Sequence, residues 1–135
     1  MKKVLLIFII AGLYACSSEN PIEPEKKINY SGEYQTNYQE MQTVILYMYH
    51  DGKMSLSGTG NWNGLTFNFL GTVMDKHAVL NFSLKKTSLG DLEGTIDGFF
   101  DDEGKLLAGG YVLRNEYNIL QNAVSFKLVA KAKTY

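Results

Sequence analysis

From residue 28 onward, apolar and polar residues alternate along the chain. This repeat of two is that of a β-strand, and no segment keeps the 3.6-residue apolar repeat of an amphipathic helix. Both prolines precede residue 25, so none removes a hydrogen-bond donor from a strand. The alternation predicts eight strands, at residues 30–36, 44–49, 54–59, 65–73, 78–84, 92–98, 106–113 and 124–130.

Turn signals separate the predicted strands. Asp51-Gly52 and Asn63-Gly64 are typical of two-residue type I′ hairpin turns, in which both residues need a positive φ angle. Residues 85–91 are predicted to form a loop, and the Asp-Asp-Glu-Gly segment at 101–104 an acidic β-turn closed by glycine. Short connections between consecutive strands favour an antiparallel up-and-down meander.

Glycine recurs inside the predicted strands, at Gly58, Gly71, Gly94, Gly109 and Gly110. Interior glycine weakens strand pairing, and its repeated use indicates strong coiling or bulges where a sheet closes. A closed barrel also removes the exposed strand edges that invite aggregation. We therefore predict an all-β fold, an eight-stranded antiparallel up-and-down barrel, with a two-sheet β-sandwich as the alternative.

The N-terminus has the organisation of a secretory signal. Met1-Lys2-Lys3 is basic, and an apolar run follows at residues 4–13. The run is too short to cross a bilayer as a helix, which takes about 20 residues. Residues 17–27 hold both prolines, five charges and one isoleucine. Such a segment cannot bury enough apolar surface to fold, so it is predicted to be a tether.

Leu13-Tyr14-Ala15-Cys16 resembles the lipobox of bacterial lipoprotein precursors, with Tyr14 where a small residue is usual. The resemblance implies cleavage before Cys16, acylation of its thiol with fatty acids such as palmitate, and anchoring in the lipid bilayer. Ser17 implies the outer membrane, on its periplasmic or its surface-exposed face. The chain then divides into a signal peptide (1–15), a lipidated cysteine with a flexible tether (16–27) and a β-barrel domain (28–135).

The start of the barrel resembles, over a short stretch, the avidin and lipocalin (calycin-type) barrels. Gly32-Glu33-Tyr34 opens the first strand, and the Asp51-Gly52 turn leads into Ser57-Gly58-Thr59. Tyr34 stands where those families have tryptophan, so biotin binding is not implied. The resemblance implies that Arg114 closes the barrel end near the aromatic residue of the first strand.

Composition and charge exclude several classes of function. Thirteen basic and 14 acidic residues leave a net charge of −1, which argues against a nucleic-acid partner. The single cysteine excludes an intrachain disulfide framework and a multi-cysteine metal site. His50 and His77 are interpreted as solvated turn residues without metal-ligand spacing around them. No nucleotide or nucleophile fingerprint occurs, so we expect no catalytic residues, no metal, no cofactor and no enzymatic activity.

Aromatic residues are the better candidates for contact with another molecule. Tyr47, Tyr49, Trp62 and Tyr111 are predicted to bind a ligand, because such side chains combine a large apolar body with a polar tip. The predicted function is a membrane-anchored, non-enzymatic barrel that binds a small apolar or saccharide ligand. The alternative is a protein-interaction module, an accessory subunit of an envelope complex or a barrel-type protease inhibitor. Inward phenylalanines that fill the interior would favour this alternative, namely Phe67, Phe69, Phe82 and Phe126.

Overall fold

The structure, a computed structural model, describes residue 21 and residues 24–36 and 43–131. These residues form eight strands: β1 (Gly32–Thr36), β2 (Val44–His50), β3 (Ser55–Trp62), β4 (Leu65–Met74), β5 (His77–Thr87), β6 (Gly90–Phe100), β7 (Leu106–Asn115) and β8 (Leu120–Ala130). Each strand pairs antiparallel with the next, and β8 pairs with β1 to close a barrel. The predicted eight-stranded up-and-down barrel is confirmed, and the sandwich alternative is wrong. Within the described residues, no helix is long and apolar enough to cross a membrane.

The hairpin between β5 and β6 is tighter than the predicted loop at 85–91. Both strands extend into that segment, and Thr87 pairs with Gly90 across a two-residue tip. A bulge between Leu84 and Thr87, with Lys86 at a φ of 57°, accommodates the extra residues of β5. The polar composition of this segment predicted a loop, whereas a bulge lets polar residues continue a strand.

The two glycine turns differ. At Asn63-Gly64 the φ angles are 47° and 91°, so the predicted type I′ geometry is confirmed. At Asp51-Gly52 only Gly52 has a positive φ, and the connection runs from residue 51 to residue 54. The Asp51 carboxylate accepts hydrogen bonds from the N–H groups of Lys53 and Ser55, which stabilises this wider turn. The two-residue turn predicted at Asp51 is therefore wrong.

Aromatic rings and interior glycines pair across neighbouring strands. Phe67 lies opposite Gly60, and Phe82 lies opposite Gly94. A Cβ atom at Gly60 would lie 2.2 Å from Cζ of Phe67, so the ring occupies the space that a side chain would take. These glycines therefore let large rings lie against the inner wall of the barrel.

The core fills the inside of the barrel from end to end of the described strands. The inward phenylalanines predicted from the sequence, Phe67, Phe69, Phe82 and Phe126, are all at most 7% exposed. On β8, alternation places Val124 on the same face as Phe126, but Val124 is 43% exposed and burial on this strand begins at Phe126. Tyr34 of β1 is almost completely buried, like Leu46, Leu56, Leu80 and Leu107 of β2, β3, β5 and β7.

Candidate functional site

The four aromatic residues predicted to bind a ligand lie on opposite sides of the barrel wall. Tyr47 and Tyr49 project outward from β2 and are 51% and 64% exposed. Trp62 and Tyr111 project inward and are 6% and 4% exposed. The structure therefore brings Trp62 and Tyr111 together and does not bring the β2 tyrosines to them.

Trp62 is the last residue of β3, whereas the strand predicted at 54–59 ended before it and left it beside the Asn63-Gly64 turn. It pairs with Val44 on one side and Leu65 on the other. Its ring meets Tyr111 edge-on, with 4.2 Å between ring centroids, and lies 6.1 Å from Phe82. The indole is therefore a core side chain and does not top the hairpin.

The aromatic side chains around Trp62 pack directly on one another. Phe67 and Phe82 have ring centroids 4.5 Å apart, and Tyr111 and Phe126 are 6.3 Å apart. These separations are those of rings in contact or nearly so. In this part of the barrel the interior is occupied by protein side chains.

Polar groups inside the described barrel are satisfied by other protein groups. The side-chain amide of Asn122 donates a hydrogen bond of 3.4 Å to the Tyr111 hydroxyl. Among the described residues, no buried side-chain nitrogen or oxygen lacks a hydrogen-bond partner. A polar guest would therefore have to displace existing hydrogen bonds to gain any within the described core.

The two ends of the barrel differ in chemistry. The N-terminal end, where residues 24–31 enter, carries the turns at 51–54, 75–76 and 101–105, whose residues are mostly charged. The distal end carries the turns at 63–64, 88–89 and 116–119. Apolar side chains exposed at or beside those turns form what we call the distal apolar surface: Leu65 (37% exposed), Leu89 (62%), Tyr117 (75%), Ile119 (58%) and Leu120 (52%).

Tyr34 closes the N-terminal end of the barrel. Its hydroxyl lies 2.7 Å from the carbonyl oxygen of Gly104 and 3.0 Å from that of Tyr30, so its single proton is donated between these two acceptors. Burial raises the pKa of Tyr34, and the nearby charge of Asp101 raises it further, so the phenol stays protonated. Tyr34 therefore acts as a structural hydrogen-bond donor.

Arg114 does not have the role that the lipocalin resemblance implied. It is exposed near the distal end, where its Nη1 donates a hydrogen bond of 3.2 Å to the carbonyl oxygen of Asn118. Tyr34 lies at the opposite end, against Gly104. The position of Arg114 next to the β7–β8 turn makes it a stabiliser of that turn.

His50 is buried, so its interpretation as a solvated turn residue is wrong. Its Nδ1 accepts a hydrogen bond of 3.5 Å from the N–H of Tyr30, and its Nε2 lies 3.3 Å from the carbonyl oxygen of Lys53. The backbone N–H of His50 donates to Oγ of Ser31. This histidine therefore holds residues 30–31 against the barrel, a role that the spacing of residues along the chain did not indicate.

His77 lies on the outer face of β5. Its Nε2 is 2.8 Å from Oδ1 of Asp97, and its ring stacks on Phe99 with 4.7 Å between centroids. The described part of the chain contains no group of three or more His, Cys, Asp or Glu residues that could hold a metal ion. The pair is a surface contact between β5 and β6.

The acidic segment at 101–104 forms the predicted turn. Oδ1 of Asp101 accepts hydrogen bonds from the N–H groups of Lys105 and Leu106, and Gly104 has a φ of 69°. Partial burial acts to raise the pKa of Asp101, but these N–H groups outweigh it and hold the pKa below its ordinary value. The ionised carboxylate thus organises the turn between β6 and β7.

A search of protein-family profiles, curated proteins and solved structures finds no match to this chain. The predicted lipidation residue, Cys16, lies outside the described residues together with the rest of the signal segment.

Proposed function

We propose that the chain is a lipid-anchored, non-enzymatic envelope module that binds a protein partner through its distal apolar surface. The observation that carries this proposal is the packing of the interior: Trp62, Phe67, Phe82 and Tyr111 fill the space in which a small barrel would hold a guest. A binding function then has to use the outside of the barrel. The proposal favours the interaction module over the small-ligand barrel.

The distribution of exposed apolar residues supports the distal end as the contact surface. Hairpin tips in water are usually polar, because loops lie on the surface and favour residues such as Gly, Asn, Asp and Ser. The tips at the N-terminal end are mostly charged, although Met54 in one of them is 57% exposed and Met74 beside another is 66% exposed. At the distal end, Leu89 and Ile119 are more than half exposed, and Tyr117 is three-quarters exposed. The tips at 88–89 and 116–119 belong to neighbouring hairpins, since β6 pairs with β7. Apolar residues exposed close together are typical of surfaces that bind another protein.

The position of the tether is compatible with this orientation. Residues 17–27 precede the barrel, and they span at most about 36–40 Å when extended. Acylated Cys16 would hold the N-terminal end close to the bilayer, and the opposite end would face away from it. An apolar surface turned away from the membrane is available to a protein of the envelope.

A small ligand at the distal mouth is the second candidate, favoured by one observation. Trp62 and Tyr111, two of the predicted contact residues, meet there, and the half-buried Asn122 supplies a polar group beside them. An apolar or saccharide guest would contact the same rings that now form the core, so its entry would require them to separate.

The experiment compares two exposed leucines of similar exposure. Leu89 is 62% exposed at a distal tip, and Leu70 is 71% exposed on the side of the barrel. Mildly solubilised envelopes containing the natural chain are separated by size and by native mass spectrometry. We expect a complex larger than the monomer, lost by at least tenfold in Leu89→Glu and retained in Leu70→Glu.

Three results would contradict the interaction module. A monomer in every preparation, or equal loss of the complex in both variants, would exclude the distal apolar surface as the contact. A monomer with the additional mass of a bound small molecule would favour the second candidate function, the binding of a small ligand.

A further inference from the structure

A cleft lined by lysines opens at the N-terminal end of the barrel. It measures about 470 Å³ and lies between residues 25–30 and the turns at 51–54 and 75–76. Four lysines line it, Lys26, Lys27, Lys53 and Lys76, against two carboxylates, those of Glu25 and Asp75. We call it the N-terminal cleft.

Three of these lysines are not engaged in ion pairs within the described part of the chain. Lys76 pairs with Asp102, and outside the cleft Lys105 pairs with Glu103 and Lys131 with Glu33. No such pair occurs at Lys26, Lys27 or Lys53 within residues 24–36 and 43–131. Their ammonium groups are therefore available to an anion that enters the cleft.

The floor of the cleft is mostly apolar. Beside the buried His50 it is lined by Ile28, Tyr30 and Val73, and the last two belong to the core. An apolar floor under a cationic rim matches a molecule with an anionic head and an apolar body better than it matches a fully hydrated inorganic ion. A lysine ammonium is a compact point charge that binds phosphate without demanding a fixed geometry.

We propose that the N-terminal cleft binds the phosphate group of an anionic membrane lipid and so orients the barrel on the bilayer. This inference rests on the lipid anchor of the proposed function. Residue 25 follows Cys16 by nine residues, so the cleft lies within about 32 Å of the acylated residue. Lysines at that distance lie within reach of the anionic surface, where each one contributes to binding.

The test uses the processed full chain reconstituted in vesicles and measures acetylation of each lysine by mass spectrometry. Vesicles of phosphatidylglycerol are compared with vesicles of phosphatidylcholine. The phosphatidylcholine vesicles are measured with and without inorganic phosphate at about 10 mM. Lys85 and Lys86, at the distal end, are internal controls. We expect acetylation of Lys26, Lys27 and Lys53 to fall at least fivefold in phosphatidylglycerol only, while the controls keep their rates.

Each other result overturns the inference. Protection in phosphatidylcholine upon addition of inorganic phosphate would assign the cleft to a free anion. Protection of Lys85 and Lys86 to the same degree would show that the barrel lies on the surface without orientation. Equal acetylation in all vesicles would exclude the cleft as a phosphate site.

Failure of the anchor is measured separately. Flotation with phosphatidylcholine vesicles reports acylation of Cys16 and does not depend on the cleft. A chain that does not float is presented to phosphatidylglycerol vesicles at low ionic strength, where screening is weak. The variant Lys26→Gln/Lys27→Gln/Lys53→Gln is then expected to bind at least tenfold more weakly than Lys85→Gln/Lys86→Gln, and equal binding would contradict the inference.

Discussion

The ring of Phe82 occupies the space next to Gly94 that a side chain at this position would need. A Cβ atom there would lie 2.2 Å from Cζ of Phe82 and 2.5–2.6 Å from both Cε atoms. We expect Gly94→Ala to lower the free energy of unfolding by about 1–3 kcal/mol, because the ring has to leave its place in a packed core. Urea denaturation measures the change.

Gly32→Ala is the matched control for that substitution. The nearest atom to a Cβ at Gly32 is Cε2 of Tyr34 at 3.7 Å, an ordinary contact distance. We expect little change in its midpoint. A double variant, Gly94→Ala with Phe82→Leu, should be less destabilised than the two single effects added together. Strict additivity would show that the ring and the glycine do not share one space.

The backbone conformation of the turn at Asp75-Lys76 could not be predicted from the types of its two residues. Their φ angles are 48° and 68°, so both residues are in the left-handed region although neither is glycine. The strands on either side were predicted, but nothing in the pair Asp-Lys indicated this backbone conformation. Pairing of Met74 with His77 imposes it, because two strands of fixed register leave only two residues to connect them.

Among the hairpins, the β6–β7 connection depends on one ionised carboxylate. The folded-state pKa of Asp101 is below its ordinary value, and that of Asp51 is lowered too, chiefly by its hydrogen bond from the Lys53 N–H. A carboxylate with a depressed folded pKa contributes stability above its unfolded pKa of about 4 and loses it as pH falls through the folded value. We therefore expect acid to weaken the turns below about pH 4.

Thermal unfolding between pH 7 and pH 2.5 checks this expectation. Asp101→Asn and Asp51→Asn should each melt at a lower temperature than the natural chain at neutral pH and should show a flatter decline towards acid. Asp75→Asn is the control, since the Asp75 carboxylate accepts no hydrogen bond from the described residues. A natural pH profile in the Asp101 variant would mean that its carboxylate does not stabilise the turn.

Strand β2 shows that alternation does not predict which face is buried when both faces of a strand are apolar. In β2, Val44, Leu46 and Met48 alternate with Ile45, Tyr47 and Tyr49, so either face could have been buried. The structure buries the first set and leaves the two tyrosines outside. Register with β1 and β3 decides this, because directly paired residues share a face.

For the molecule as a whole, the proposed lipid anchor depends on one atom, the sulfur of Cys16. Cys16→Ala removes the thiol that would be acylated. Two acyl chains anchor a protein stably in a membrane, and the variant would lack them. We expect the variant to move from the membrane pellet to the soluble fraction, with at least a tenfold drop in the pelleted share. Ser17→Ala is the control and should remain in the pellet. Persistent membrane association of the Cys16 variant would contradict the lipid anchor.

Strand number, turn order and the absence of sustained helix were all contained in the sequence, since alternation and turn residues are local properties of the chain. The sequence did not specify which side of the barrel wall each aromatic residue occupies. In the closed barrel Trp62 and Tyr111 are core residues, Tyr47 and Tyr49 lie on the surface, and His50 is buried. Closure defines an inside, and an inside depends on pairings between residues nearly a hundred positions apart, which no local pattern specifies.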